Sequence, residues 1–200
     1  VTLLQGDLTE EHLGLTTKAR SRLDDVDEVW HLAAVYDLAV PAEVARRVNV
    51  DGTARVLELA AGLRQLRHLH YVSTCYVSGR YAGEFGEDVL EAGQEFRNHY
   101  EATKYDAEVL VRKAMADGLP VTIYRPGIVV GDSTTGETQK YDGPYFLASF
   151  LRRQPRVALV PSVPPDARFC LVPRDFVIEA MDRLSVREDS VGRTYALTDP

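Results

Sequence analysis

Tyr100 and Lys104 stand four residues apart in the run Asn98-His99-Tyr100-Glu101-Ala102-Thr103-Lys104. On a helix that spacing is about one turn, so a phenol and an ammonium would share one face and could open into one pocket. A free phenol has a pKa of about 10 and is a poor acid at neutral pH, but a nearby cation favours its ionised form and lowers that value. The pair is a candidate proton donor and acceptor. Of the ten tyrosines only Tyr100 has a lysine at this spacing. A two-residue spacing is weak evidence alone, since an ordinary surface helix with a tyrosine in its first turn reads the same.

The element that must position the pair is a helix over residues 98–117. Asn98 followed by Glu101 resembles a capping box, and Gly118 with Pro120 is a stop signal. Between them Tyr100, Lys104, Ala107, Val111 and Ala114 fall on one stripe, while Glu101, Glu108, Arg112 and Lys113 fall elsewhere. A lysine on a small-residue, apolar stripe needs a reason to be there.

Strands and helices alternate around that helix. Residues 1–5 read as a strand running into Gly6-Asp7-Leu8-Thr9, and residues 28–34 as a second apolar run ending in Leu32-Ala33-Ala34. Small side chains at a strand's carboxyl end let a ligand approach the backbone, which is where open α/β sheets bind nucleotides. A helix follows over 41–62, interrupted at Asn49 and Gly52, both poor mid-helix residues, so a kink is expected there. Residues 68–72 form the next strand, ending at Val72 and leading into Ser73-Thr74, whose hydroxyls could donate to a ligand oxygen. Residues 80–97 read as a loop carried over the site. Residues 121–124 form a further strand, closed by Arg125-Pro126-Gly127. Alternation with helix-length crossovers implies a doubly wound parallel sheet covered on both faces.

From Gly131 the character changes. Residues 132–144 are polar, 145–153 look helical and 155–165 are punctuated by proline. Residues 169–172 suggest a strand, 173–184 a helix and 195–197 another extended piece. We expect a nucleotide-binding domain over 1–130 and a partial substrate-binding region, with segments that complete the sheet, over 131–200.

Composition narrows the function. The chain has 200 residues, a net charge of -7 and a pI near 5.3, which argues against a nucleic-acid surface. No apolar run approaches the roughly 18 residues of a membrane span. Cys75 and Cys170 have no metal-ligand spacing, so no metal site is expected, and two cysteines without a secretory leader suit a reducing, cytoplasmic setting.

Taken in order, the motifs resemble an extended short-chain dehydrogenase/reductase. They are Gly6-Asp7-Leu8, His31-Leu32-Ala33-Ala34, Val48-Asn49-Val50-Asp51-Gly52-Thr53, Val72-Ser73-Thr74, Tyr100-x-x-x-Lys104, Tyr124-Arg125-Pro126-Gly127 and Val172-Pro173-Arg174-Asp175. The resemblance implies a Rossmann-type fold and an NAD(P)(H) cofactor, with NADP(H) favoured. Asp7 and Leu8 would border the adenine, and Leu32, Ala33 and Ala34 would line the diphosphate and ribose. Val72 belongs to the same cofactor wall, and Pro126, Gly127 and Ile128 would lie against the nicotinamide. Thr74 would hydrogen-bond the reacting carbonyl oxygen and Tyr100 would be the acid/base. Lys104 would hold the nicotinamide ribose and lower the tyrosine's pKa, while Asn49, in the kinked helix, would support a proton relay to Lys104.

Ser73-Thr74-Cys75-Tyr76-Val77 and Tyr124-Arg125-Pro126-Gly127-Ile128-Val129-Val130-Gly131-Asp132-Ser133 resemble most the branch of fatty-acyl and thioester reductases. That branch implies hydride transfer to a small-molecule carbonyl or acyl-thioester substrate. A nucleotide-sugar epimerase is the alternative enzyme, and a non-catalytic NAD(P)-binding protein the alternative outside catalysis. A dehydratase is disfavoured, because Cys75-Tyr76 stands where such enzymes carry Asp-Glu. Relatives often dimerise through the helices corresponding to 41–62 and 98–117, so a homodimer is open. No Gly-x-Gly-x-x-Gly or Gly-x-x-Gly-x-x-Gly occurs in the chain. In a sheet of order 3-2-1-4-5-6 the first strand here would be the third. We therefore expect the retained part of a longer protein, with roughly 60 residues before Val1 and more after Pro200.

Overall fold

A computed structural model describes residues 1–198 except 38, 140, 142 and 154–168. Its centre is a four-stranded, all-parallel sheet of order β1-β2-β3-β6, with β1 at Glu28–His31, β2 at His68–Val72, β3 at Val121–Pro126 and β6 at Thr194–Leu197. The register pairs His31 with Tyr71, Val72 with Tyr124 and Pro126 with Leu197. All four strands therefore point their carboxyl ends to the same edge.

The first segment departs from expectation. Residues 1–7 join no ladder, and Val1 and Leu3 are exposed. A strand exists by pairing its backbone, and no neighbouring strand lies beside this one among the described residues. Residues 11–23 form short helical turns, including α1 (Thr17–Arg20), capped by Thr16.

After β1 the chain enters one long helical rod in three parts: α2 (Ala42–Ala45), a π-helical turn (Arg46–Asp51) and α3 (Gly52–Gly62). The kink expected at Asn49 and Gly52 is this π turn, a widened coil that turns a backbone carbonyl and a side chain away from the regular ladder. Gly52 packs closely there, since a Cβ would lie 3.1 Å from Leu8 Cβ.

The helix α4 (His99–Ala116) begins as its sequence predicts. Asn98 Oδ1 accepts from the Glu101 N–H at 2.9 Å, and Glu101 Oε2 accepts in return from the Arg97 N–H at 2.9 Å. It stops at Gly118, whose φ of +101° suits a residue without a Cβ. α3 and α4 cover one sheet face, enclosing Ala60, Leu69, Tyr71, Ala107, Val111, Val121 and Ile123. On the other face α6 (Arg174–Ser185) packs Val177 and Met181 against Tyr124, Val172 and Leu197. The result is a helix-sheet-helix sandwich.

Pro126 ends β3 as a residue that cannot donate to a ladder, and the chain turns into a second sheet of two parallel strands, β4 (Ile128–Val130) and β5 (Leu171–Pro173). Between them lies α5 (Pro144–Arg152), with Phe146, Leu147, Phe150 and Leu151 exposed. The proline-punctuated run at 155–165 lies outside the described residues. No helix among the described residues is long and apolar enough to cross a membrane.

Two expectations about α4 are corrected. Glu101 and Glu108, read from periodicity as lying off the buried stripe, are 3% and 0% exposed. Each is buried because its oxygens have partners there: Glu101 caps the helix, and Glu108 receives Ser73, Arg112 and Arg125. The loop before α4 is pinned rather than free. Arg125 donates to the carbonyls of Gly86 and Val89, Arg112 to those of Glu87 and Asp88, and Gln94 to those of Val77 and Leu90.

Candidate active site

The site lies where β1, β2 and β3 end. Beyond His31 the chain leaves the ladder, so the strand stops short of Leu32-Ala33-Ala34; Leu32 and Ala33 are exposed and Ala34 is half-buried. Their backbone is thus open at the sheet edge. Asn49 anchors the next residues: its Oδ1 accepts from the Val35 N–H at 2.8 Å, and its Nδ2 donates to Val35 O at 2.9 Å and Thr103 Oγ1 at 3.0 Å. A buried side chain thereby ties the β1 exit loop to α4.

At the end of β2, Ser73 is held by Glu108 and Thr74 turns the chain. Thr74 Oγ1 accepts from the Tyr76 N–H at 3.3 Å, capping a short 3-10 turn over Cys75–Ser78. Thr74 lies near enough to the Tyr100 phenol to favour its ionised form, so the two groups singled out from sequence are neighbours at this edge.

Lys104 is 4% exposed and donates to Val72 O at 2.8 Å and to Tyr71 Oη at 3.0 Å, with its ammonium 4.5 Å from the centre of the Tyr71 ring. Burial pulls its pKa from 10.5 down to about 7, against the opposing pull of the Glu108 carboxylate. The Tyr100 phenol is nevertheless raised from its ordinary value of 10.0: burial outweighs the opposing influence of Thr74, Cys75 and Glu101 add to the rise, and Lys104 is not among the groups that shift it. The phenol stays protonated across neutral pH, the form a proton donor needs.

Asn49 likewise does not reach Lys104. Its side chain is engaged by Val35 and Thr103, and its carbonyl accepts from Thr53 Oγ1 at 2.6 Å. Asp7 is exposed, its carboxylate held below the usual range by the N–H and hydroxyl of Thr9, while Leu8 packs on Gly52 and its carbonyl takes Arg55 at 3.2 Å. Gly127 has a packing reason for its missing side chain, since a Cβ would sit 2.5 Å from Cys170 O. Pro126 and Gly127 are buried and Ile128 half-buried at the end of β3.

Sequence reasoning did not single out Ser73, Glu108, Tyr71, Thr53 or His31 as parts of one network. For Glu108 a signal existed: it lies four residues beyond Lys104, as Lys104 lies four beyond Tyr100. No metal-ligating cluster occurs among the described residues.

The parallel α/β sheet, helix-covered on both faces, is the Rossmann-type fold of the extended short-chain dehydrogenase/reductases, a class of NAD(P)-dependent oxidoreductases. The chain belongs to the NAD-binding family described as male sterility protein, which matches residues 1–181. Among solved structures it is similar to the terminal R domain from the myxalamid PKS-NRPS biosynthetic pathway, at 38% identity and a TM-score of 0.87, covering 98% of this chain and 49% of that one. It is also similar to the reductase domain of a nonribosomal peptide synthetase from Mycobacterium tuberculosis, at 26% identity and a TM-score of 0.73, covering 98% and 50%. A linear gramicidin synthase of Brevibacillus parabrevis is 30% identical over 98% of this chain but only 4% of its own length. Glycine betaine reductase of Emericella nidulans is 31% identical over 100% of this chain and 16% of its own. The chain thus spans about half the length of these solved relatives and far less of the curated ones.

Proposed function

We propose that the protein reduces a thioester-linked acyl group or an aldehyde, using NAD(P)H, at the site formed by Thr74, Tyr100 and Lys104. The observation that carries this reading is the buried ammonium of Lys104, held on Val72 O at the end of the strand that leads into Thr74 and set one turn after Tyr100 on the same helix. The likeness to reductase domains of peptide and polyketide synthetases supports the choice of substrate class. NADP(H) over NAD(H) is part of the proposal.

The donor set fits the nicotinamide end of such a cofactor. Lys104 would hold the ribose with an N–H beyond those given to Val72 and Tyr71. Leu32, Ala33 and Ala34 would lie along the diphosphate, Val72, Pro126, Gly127 and Ile128 would form the wall behind the ring, and Asp7 and Leu8 would border the adenine. When bound, the cofactor supplies a hydride. Thr74 and Tyr100 hydroxyls stabilise negative charge as it develops on the substrate oxygen, because donors fixed in a buried site need little reorganisation. Tyr100 then gives up its O–H proton to that oxygen. With a thioester, the carbon–sulfur bond breaks next and an aldehyde and a thiol leave. Asn49 keeps α4 and the β1 exit loop in register, and residues 131–200 contribute part of the substrate's enclosure.

The test offers acyl-CoA and carrier-linked thioesters, aldehydes and nucleotide sugars in parallel, each with NADPH or NADH, and reads cofactor oxidation and product. Thioester- or aldehyde-dependent oxidation supports the reading. Sugar epimerisation without net oxidation, or cofactor binding with no turnover, points to the epimerase or to a non-catalytic binder instead.

A further inference from the structure

The chain has two cysteines, Cys75 and Cys170, and both are free, half-buried thiols. The fold brings them to the same glycine from two different sheets. β2 and β3 run parallel with Val72 beside Tyr124, and the ladder continues as the Ser73 N–H donates to Tyr124 O at 2.7 Å. Thr74 keeps the backbone extended, so Cys75 comes level with Gly127 at about one strand spacing, roughly 4.8 Å. Cys170 reaches Gly127 from β5. Ile128 pairs with Leu171, the Ile128 N–H donates to Cys170 O at 2.7 Å, and a Cβ on Gly127 would lie 2.9 Å from Cys170 Sγ. The missing side chain therefore leaves the Cys170 sulfur against bare backbone, with Cys75 on the neighbouring strand.

The two thiols also act on one another. Burial first, and then Cys170, push the Cys75 thiol up to about 12, so the two are near neighbours and Cys75 rests as a neutral thiol. Cys75 follows Thr74 directly and opens the 3-10 turn in which Thr74 Oγ1 accepts from the Tyr76 N–H at 3.3 Å. A pull on Cys75 is thus transmitted to the Thr74 hydroxyl.

We propose that Cys75 and Cys170 form a redox modification site, in which a small disulfide of the glutathione class joins the two sulfurs across Gly127 and the joined pair slows the site at Thr74. The effect on turnover rests on the reading of Thr74, Tyr100 and Lys104 as a reductive site; the bond itself does not. Cys170 loses its proton, and its thiolate attacks one sulfur of oxidised glutathione. That S–S bond breaks, and one glutathione leaves and takes up the proton. Cys75 then gives up its proton and attacks the Cys170 sulfur of the mixed disulfide, and the second glutathione leaves with that proton. The two thiols lose two electrons and two protons, and one oxidised glutathione becomes two thiols. Excess reduced thiol runs the exchange backwards. The new bond ties the Thr74 turn to the start of β5, and a displacement of about 1 Å at a reacting group costs on the order of a hundredfold in rate.

The experiment incubates the purified protein with oxidised glutathione, blocks remaining thiols with N-ethylmaleimide, and reads intact mass, peptide map and thioester reduction. Expected is a monomer lighter by two hydrogens, with no blocked cysteine and a Cys75–Cys170 cross-linked peptide. Its turnover should be lower by at least about tenfold and return with dithiothreitol. Cys75→Ser and Cys170→Ser should keep their rate under oxidised glutathione. Two blocked thiols after the incubation, glutathione retained on either cysteine, or a disulfide only between two copies would overturn the site. An internal disulfide with unchanged turnover would overturn its action on Thr74. If the reduced protein acts on neither thioester nor aldehyde, the functional reading fails, while mass and peptide map still decide whether the bond forms.

Discussion

Ser73 Oγ donates to Glu108 Oε2 at 2.6 Å, which fixes the end of β2 to the middle of α4 one residue before Thr74. The same carboxylate receives Arg125 Nη2 at 2.7 Å and Arg112 Nε at 3.0 Å, so the strand that brings Thr74 and the helix that brings Tyr100 and Lys104 keep one spacing. Glu108→Gln would leave the 2% exposed guanidinium of Arg125 without its counter-charge. Loss of one member of a buried pair costs about 3–5 kcal/mol, to be read as a lowered urea midpoint with an unchanged slope. Ser73→Ala should cost less, about 1–3 kcal/mol, and should show more in turnover than in stability.

Asn49 is predicted to act as a structural clamp between loop and helix. Asn49→Leu leaves the Val35 N–H and C=O without their partner, at about 1–3 kcal/mol for each group that stays buried and unpaired, while the Thr103 hydroxyl keeps its bond to His99 O. Weakened cofactor binding should accompany the lower melting temperature, because Val35 follows Leu32-Ala33-Ala34. Binding unaffected in a destabilised protein would separate the clamp from the cofactor wall.

The order of elements was legible in the chain because its periods are unambiguous: Asn98 and Gly118 bracket α4, and Asn49 with Gly52 marks the π turn. What could not be read was set by partners distant in sequence. Glu108 looks like a surface residue until Arg125 and Ser73 arrive from two strands, and the ammonium of Lys104 turned out to rest on Tyr71 and Val72. Residues 1–5 carry the composition of a strand but have no ladder to join. Gly127 read as a cofactor contact, while its nearest demand is Cys170.

Acid stability should report the buried histidines. His31 and His70 are both held at about 4, mainly by burial, against 6.5 in an unfolded chain. The unfolded chain therefore binds protons that the folded one refuses between pH 6.5 and 4, and stability falls as pH drops through that window and recovers as it rises. Each histidine contributes at most about 3 kcal/mol, less for His70, whose Nε2 lies 3.2 Å from the half-exposed Glu28 carboxylate. His31→Gln should flatten the melting temperature between those pH values, and an equal slope in the variant would assign the effect elsewhere.

Activity should follow the charge of Lys104. With its pKa near 7 and the Tyr100 phenol above 10, the productive pair of ammonium and neutral phenol is lost first by deprotonation of the lysine. The reductive kcat/KM is predicted to fall about tenfold per pH unit above neutrality. A profile flat to about pH 9 would place the ammonium outside the reacting charge balance.

The most direct test of the catalytic assignment is a single turnover of Tyr100→Phe beside the wild-type protein, with saturating NADPH and an acyl thioester, reading cofactor oxidation and aldehyde together. The assignment predicts oxidation matched by aldehyde in the wild type, and a rate lower by about a hundredfold or more in Tyr100→Phe with NADPH still bound. Equal rates in the two proteins would contradict it.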